Sequence, residues 1–149
     1  MQLIGTIGDI LKRKGHQIWS LEPSALVYDA IAMMATQHVG ALLVISESKL
    51  VGIISERDYA RKVILQGRSS HETRIQDIMT FPVICVNPRH SVDECMRLMT
   101  TNRIRHLPVT DNDRVIGVVS IGDLVGWITS EQEAAIYHLE SYITGRYPA

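Results

Sequence analysis

Apolar and polar positions follow the same order in the two halves of the chain. In each half a short apolar run leads to a proline, and apolar residues then recur three or four positions apart, as in an amphipathic helix. Two apolar runs joined by a polar turn come next, and a second helix follows. The predicted strands and first helices are residues 18–21, 27–38, 41–45 and 50–54 in one half, and 83–86, 91–102, 107–109 and 114–119 in the other. Each half therefore predicts a β-α-β-β-α unit.

The halves also share a sequence motif. The segment Gly52-Ile53-Ile54-Ser55-Glu56-Arg57-Asp58 returns 65 residues later as Gly117-Val118-Val119-Ser120-Ile121-Gly122-Asp123. The first copy carries about three extra residues near positions 12–15. A period this long indicates a tandem domain rather than a solenoid. Each unit of roughly 50 to 60 residues is small for independent stability, so the two are expected to pack together.

Polar and capping signals divide the chain further. Residues 66–73 are polar and bear glycine and serine, which predicts a linker. Ser130-x-x-Glu133 has the spacing of a capping box, and Gly145 is a suitable stop for the helix it would begin. Ile136, Leu139 and Ile143 would line one face of that helix. The predicted domains are residues 7–67 and 75–129, with a linker at 68–74 and a C-terminal helix at 130–145.

Composition limits the class of protein. The chain is 46% hydrophobic and 21% charged, which is typical of a globular domain, and its formal net charge of −1 gives no pull toward nucleic acid or anionic membrane. Cys85 and Cys95 are predicted to be reduced thiols, with one disulfide between them as the alternative. The N-terminus lacks an apolar signal region, and the apolar runs are too short to span a bilayer. These features predict a soluble, cytoplasmic protein.

The sequence gives no pattern for a metal site or for catalysis. The six histidines do not form a metal-ligand pattern with acids and cysteines, so no metal is predicted. There is no nucleophile elbow, Walker loop or dinucleotide fingerprint, so neither an enzyme nor a catalytic cofactor is predicted. Trp19 is predicted to pack in the core, with adenine stacking as the alternative.

The repeated Ser-x-x-Asp has two interpretations. Ser55 with Asp58, and Ser120 with Asp123, have the spacing of a capping box, a structural role worth about 1 kcal/mol of helix stability. A helix N-terminus also presents free N–H groups and a positive dipole end to phosphate. An aspartate one turn in would accept hydrogen bonds from two ribose hydroxyls. The second interpretation predicts a nucleotide site.

The repeat and its motif resemble a pair of CBS domains, the regulatory Bateman module, over about residues 7–128. Characteristic segments are Asp77-Ile78-Met79-Thr80, Arg105-His106-Leu107-Pro108-Val109 and Ser55-Glu56-Arg57-Asp58. The resemblance implies an α+β fold in which two domains pack sheet to sheet about a pseudo-twofold axis and leave two clefts. Such clefts bind AMP, ADP or ATP, and sometimes S-adenosylmethionine or a dinucleotide such as NAD.

Carried over to this chain, the resemblance implies that Asp58 and Asp123 hold ribose hydroxyls and that Ser55 and Ser120 contact phosphate or ribose. The adenine slots would be lined by Gln17 and Ile18 in one cleft, and by Thr80, Pro82 and Val83 in the other. Pro108 lies in the matching family segment and completes the candidate site.

Charge distinguishes the two copies. Copy two carries Arg103, Arg105 and His106 where copy one carries His38, Gly40 and Ala41, and copy one carries Arg57 where copy two carries Gly122. These arginines are either solvated surface or part of a phosphate site, where charge-assisted contacts are strong. The clefts are therefore expected to be unequal.

The sequence thus predicts a stand-alone sensor of adenine nucleotides that forms a homodimer and regulates an unknown protein. The apolar stripe of the C-terminal helix and the family's dimers favour the homodimer. The alternative is an interaction module that keeps the fold without a ligand. A third class, nucleic-acid binding, is disfavoured by the near-neutral charge.

Overall fold

The computed structural model describes residues 5–144, with side chains described as far as Ser141. A π-helical turn at Ala60–Ile64 continues α3, and a 3-10 turn occupies Ile75–Asp77. The elements are α1 (Ile7–Lys14), β1 (Ser20–Leu21), α2 (Val27–Gln37), β2 (Ala41–Ser46), β3 (Lys49–Ser55), α3 (Glu56–Tyr59), α4 (Val92–Asn102), β4 (His106–Asp111), β5 (Arg114–Ser120) and α5 (Ile121–Thr144).

The first helix and the hairpin predicted in each repeat are confirmed. α2 and α4 end in left-handed residues, His38 and Arg103, both with φ of 55°. β2 pairs with β3, and β4 with β5, in antiparallel register. Each hairpin turns through two residues of positive φ, as two-residue hairpin turns require. The two turns are Glu47-Ser48 and Asn112-Asp113.

The strand before each proline differs from the prediction. β1 is limited to Ser20–Leu21, parallel to β2, and the predicted strand at 83–86 is wrong except for a single bridge from Val86 to Val109. The cause lies in the partner strand. Leu43 donates its N–H to the Trp19 carbonyl at 3.1 Å, whereas Pro108, at the matching position, has no N–H to donate. The second sheet therefore has two strands and the first has three.

The helix predicted to begin at Ser130 is also wrong. α5 runs without interruption from Ile121 to Thr144 and passes through Ser130. A serine cap needs free backbone N–H groups, and inside a continuous helix these groups already donate to carbonyls four residues back. No proline, the residue that interrupts a helix most strongly, separates Ser120 from Thr144. Gly145 and the side chain of Ile143 lie outside the described residues.

Each repeat builds its core with a segment that precedes the other repeat. Ile7, Ile10 and Leu11 of α1 belong to the core of the second repeat, with Val92, Leu107 and Leu124. Ile75 and Ile78, which precede the second repeat, belong to the core of the first, with Val27, Val44 and Ile54. The two repeats are therefore joined by exchanged segments as well as by the chain that links them.

Both sheets are covered on their second face as well. Leu42 and Val44 lie in the first core, while Leu43 between them points to the opposite face and is only 1% exposed. Pro108, at the matching position of β4, is also buried. This burial fits the mixed α+β arrangement in which the two small sheets pack against each other.

Candidate functional site

Both Ser-x-x-Asp motifs form capping boxes at helix starts. Ser55 accepts the Asp58 N–H at 3.2 Å, and the Ser55 N–H donates back to Asp58 Oδ2 at 2.9 Å. In the second repeat the Asp123 N–H donates to Ser120 Oγ at 3.2 Å, and the Ser120 N–H to Asp123 Oδ2 at 2.8 Å. The structural interpretation of the motif is thus confirmed. A second role for the aspartates has to rest on other contacts.

Two further capping boxes occur within residues 5–144, and they provide the comparison. Thr6 pairs with Asp9, and Ser91 with Glu94. Hydrogen bonds from the cap residues lower the pKa of both carboxyls. Within the described residues, the hydrogen bonds of Asp9 and Glu94 go only to their own caps. Asp58 and Asp123 each have partners beyond the cap, and this sets their boxes apart.

Asp58 meets the segment that precedes the second repeat. Thr80 Oγ1 donates to Asp58 Oδ1 at 3.2 Å, and Lys62 Nζ lies 3.1 Å from the same oxygen. Thr80 and Ile53 exchange backbone hydrogen bonds of 2.8 and 3.1 Å. A Cβ on Gly52 would lie 2.5 Å from Met79 Sδ, so the glycine leaves room for the Met79 side chain against β3. Pro82 is exposed and Val83 half-buried a few residues beyond Thr80.

Asp123 meets the segment that precedes the first repeat. Lys14 Nζ donates to Asp123 Oδ2 at 2.6 Å and to the Val118 carbonyl at 2.7 Å. His16 Nδ1 lies 2.8 Å from the Ile116 carbonyl of β5. Exposed Gln17 and half-buried Ile18 follow directly. The structure therefore brings the adenine slot predicted at Gln17 and Ile18 to the Asp123 motif, and the one predicted at Thr80 to the Asp58 motif. The glycine before the motif has the same role: a Cβ on Gly117 would lie 2.8 Å from Leu11 Cδ2.

His106 lies where the two repeats meet. It is half-buried, and a Cβ on Gly40 of the first repeat would lie 3.4 Å from its Cε1. Burial lowers the pKa of His106, and the positive charges of Lys14 and Arg105 lower it further, while Asp123 opposes them. The lowered pKa keeps His106 mainly neutral at pH 7. The effect of Asp123 on this pKa places His106 near the Asp123 cleft.

The predicted arginines converge between the repeats. Arg57 Nη1 donates to the Arg103 carbonyl at 3.1 Å, and the Arg105 carbonyl accepts the N–H of Ile121. Arg57, Arg103 and Arg105 line one cavity of about 440 Å³. Pro108 is different, because its side chain is buried and its carbonyl accepts the Val86 N–H. It supports the fold beside the cleft.

Sequence reasoning missed two lysines and one arginine. Lys62 stands four residues after Asp58, a spacing at which helical charges pair. Arg61 stands four residues after Arg57 and lines the same cavity. Lys14 lies in the three-residue insertion of the first copy, and no local pattern connects it with Asp123, 109 residues away. The first two had a readable signal and the third had none.

The remaining sequence predictions concern Trp19, the two cysteines and membrane-spanning helices. Trp19 packs against the first core, as predicted. Cys95 is buried and Cys85 half-buried, and both are free; burial raises the pKa of Cys95 to about 12. Among residues 5–144 no helix is both long and apolar enough to cross a membrane.

Comparison with known proteins matches the CBS domain family twice, at residues 6–64 and 75–130. The Arabidopsis thaliana mitochondrial protein CBSX3, named as CBS domain-containing, is 44% identical over 95% of this chain and 73% of its own length. A solved putative signal-transduction protein with CBS domains from Burkholderia ambifaria is 50% identical, with a TM-score of 0.83 over 85% of this chain and 96% of that one.

A third neighbour was solved with adenosine compounds. The CBS domain pair of protein MJ0100, in complex with 5′-methylthioadenosine and S-adenosyl-L-methionine, is 27% identical, with a TM-score of 0.76 over 87% of this chain and 99% of that one. The family matches cover both repeats and therefore both motifs. The chain thus belongs to the CBS domain family and consists of a pair of CBS repeats followed by a helical C-terminal extension.

Proposed function

We propose that this CBS pair is a regulatory module that binds an adenosine-containing ligand in the clefts marked by Asp58 and Asp123. AMP, ADP and ATP are the first candidates, with NAD and S-adenosylmethionine as further ones. The observation that supports it best is that each aspartate, unlike Asp9 and Glu94, lies against a segment from the other side of the repeat pair. The neighbour solved with two adenosine compounds gives independent support.

In this proposal each cleft holds the ribose through its aspartate. A carboxylate accepts hydrogen bonds from both hydroxyls of a ribose, and such charge-assisted bonds are about twice as strong as neutral ones. The adenine would lie against Pro82 and Val83 in one cleft, and against Gln17 and Ile18 in the other. His106, Arg105 and Arg103 would face the phosphate.

The proposed output is regulation of another protein rather than catalysis. α1 belongs to the core of the second repeat, and Ile75 and Ile78 belong to the core of the first. A ligand that draws a cleft together would therefore shift one repeat against the other. A ligand drives such a shift only if it binds one arrangement more tightly. We place this module in the cytoplasm as part of the proposal.

A panel of thermal unfolding experiments tests ligand binding. AMP, ATP, NAD and S-adenosylmethionine are added singly, with inosine monophosphate as the control for the adenine base. A specific ligand at 100 times its dissociation constant adds about 2.7 kcal/mol of apparent stability. If no adenosine compound moves the unfolding midpoint, the chain acts without a ligand, as an interaction module.

We also propose a homodimer that uses the exposed face of α5. Ile136 is 55% exposed, Tyr137 60% and Leu139 64%, which is unusual for three large apolar side chains within four residues. Ending the chain after Thr129 removes all three, and light scattering is expected to show a change from the mass of a dimer to that of a monomer. A shortened chain that still has the mass of a dimer would place the dimer contact elsewhere.

A further inference from the structure

Four arginines surround one cavity between the repeats, the arginine basin. Arg57 and Arg61 come from the first repeat, and Arg103 and Arg105 from the second. The cavity has a volume of about 440 Å³, and its wall also includes Thr100 and Ile121. The basin does not include the aspartates, Thr80 or the predicted adenine slots.

The positive charge of the basin is not balanced by side chains of the described residues. Their ion pairs join Lys14 to Asp123, Lys62 to Asp58 and Arg97 to Asp93, and none involves a basin arginine. In the part of the chain that the structure describes, the one hydrogen bond of a basin guanidinium group is from Arg57 to a backbone carbonyl. Four like charges around one concavity repel one another, and a bound anion would remove that repulsion.

The two repeats differ at all four positions. With the offset of 65 residues, Arg57 and Arg61 correspond to Gly122 and Gly126, and Arg103 and Arg105 to His38 and Gly40. The backbone at these positions is nevertheless alike: Arg103 and His38 are both left-handed helix caps, and Ile121 and Glu56 donate to the carbonyls of Arg105 and Gly40. The corresponding positions thus have the same backbone conformation without the arginines, which shows that the fold itself does not require them.

The number of arginines indicates the size of the anion. A guanidinium fork binds two oxygens of a phosphate at a time, so four forks together can hold about eight. A single phosphate group offers too few oxygens for all four, and each further phosphate in a chain brings the number of oxygens closer to what the four forks can bind. Arg57 directly precedes Asp58, and Arg105 directly precedes His106, so the backbone connects the basin to residues of both candidate clefts.

We propose that the arginine basin binds a chain of two or more phosphates, so that this module prefers nucleoside di- and triphosphates to monophosphates. The inference rests on the proposed function only for the adenosine end of the ligand. The basin binds the phosphate chain through its own charge. Its affinity therefore falls as salt rises, because the arginines are exposed to solvent.

Calorimetric titration with inorganic tripolyphosphate tests the basin without the nucleoside. The parent is expected to bind tripolyphosphate, to bind orthophosphate at least tenfold more weakly, and to prefer ATP to AMP. The double variant Arg57→Ala/Arg61→Ala is expected to lose at least tenfold in affinity for tripolyphosphate and ATP, and less for AMP. The matched control Arg68→Ala/Arg114→Ala removes two exposed arginines outside the basin and is expected to bind as the parent does.

Each result separates the two proposals. A parent that binds AMP but not tripolyphosphate would refute the basin and leave the adenosine clefts in place. A parent that binds tripolyphosphate but no adenosine compound would refute the adenosine clefts alone. Equal loss in the basin variant and in its control would show that only net charge matters, and would also refute the basin.

Discussion

The two clefts share one motif but differ in the groups around it. Asp58 takes its lysine from its own helix, because Lys62 lies one turn further on, and its second partner is Thr80. Asp123 takes its lysine from α1, where Lys14 also binds the Val118 carbonyl. The hydrogen bonds of Asp123 within the described residues all use Oδ2, whereas both oxygens of Asp58 are engaged. Duplication therefore preserved the position of the carboxylate and let its surroundings diverge.

The difference has a consequence for signalling. Displacing Lys62 would disturb one turn of α3, whereas displacing Lys14 would pull on a helix whose Ile7, Ile10 and Leu11 form part of the second core. A ligand in the Asp123 cleft would thus be coupled to packing more strongly than one in the Asp58 cleft.

The largest effect is expected from removing the carboxylates one at a time. Asp123→Ala should abolish binding in its cleft and leave the Asp58 cleft intact, and Asp58→Ala should do the reverse. Two charge-assisted hydrogen bonds contribute about 3 kcal/mol or more together, which corresponds to a loss of about a hundredfold or more. Titration calorimetry would show the number of sites halved in each variant. Glu94→Ala removes the same capping interaction outside the clefts and is the control; equal binding by Asp123→Ala and parent would leave Asp123 as a helix cap only.

The next effect concerns the glycines against which the exchanged segments pack. Gly117→Ala should destabilise the fold by about 1–3 kcal/mol, because the new methyl group meets Leu11, which is 1% exposed. Gly52→Ala should cost less, since the flexible Met79 side chain can move aside. Urea unfolding measures both. Gly126→Ala, with no atom within 4 Å of its Cβ, should be neutral or stabilising. A larger loss of stability at Gly52 than at Gly117 would show that Met79 moves aside less easily than Leu11.

A smaller effect is expected from the lysines. Lys14→Ala should raise ligand affinity in the Asp123 cleft by up to about fivefold, because an exposed ion pair is worth at most about 1 kcal/mol and its loss frees Asp123 Oδ2 for the ribose. Lys12→Ala, on the same helix, is the control and should change nothing. Weaker binding after Lys14→Ala would show that the lysine contacts the ligand instead of competing with it.

The smallest effect is a dependence of stability on pH. The pKa of His106 is lower in the folded protein than the unfolded value of 6.5, so the unfolded chain binds more protons in the interval between the two. The free energy of unfolding contributed by His106 is complete above pH 6.5 and falls as pH drops through that interval, by at most about 1.4 kcal/mol per unit. His106→Ala, which copies Ala41 of the first repeat, should flatten the curve measured by urea unfolding. An identical curve would show that other groups titrate there.

Much of the fold was readable because its signals are local. The amphipathic spacing of α2 and α4, the polar turns between the paired strands and the 65-residue repeat predicted the element order correctly. The errors occurred where a distant or continuous feature decided the outcome. Pro108 limited the pairing of the strand predicted at 83–86, and α5 continued through Ser130 because its N–H groups were already paired within the helix.

By itself the sequence determined that there are two repeats, that each presents Ser-x-x-Asp at a helix start, and that the repeats differ in charge, because these depend on residue identity and local spacing. Only the tertiary structure decided which segment completes which cleft. The contacts of Lys14 with Asp123 and of Thr80 with Asp58 arise from exchanged packing between residues 109 and 22 positions apart, as does the meeting of four arginines in one basin. Such contacts form because the hydrophobic effect packs together apolar residues that are far apart in the sequence, and no local pattern encodes this packing.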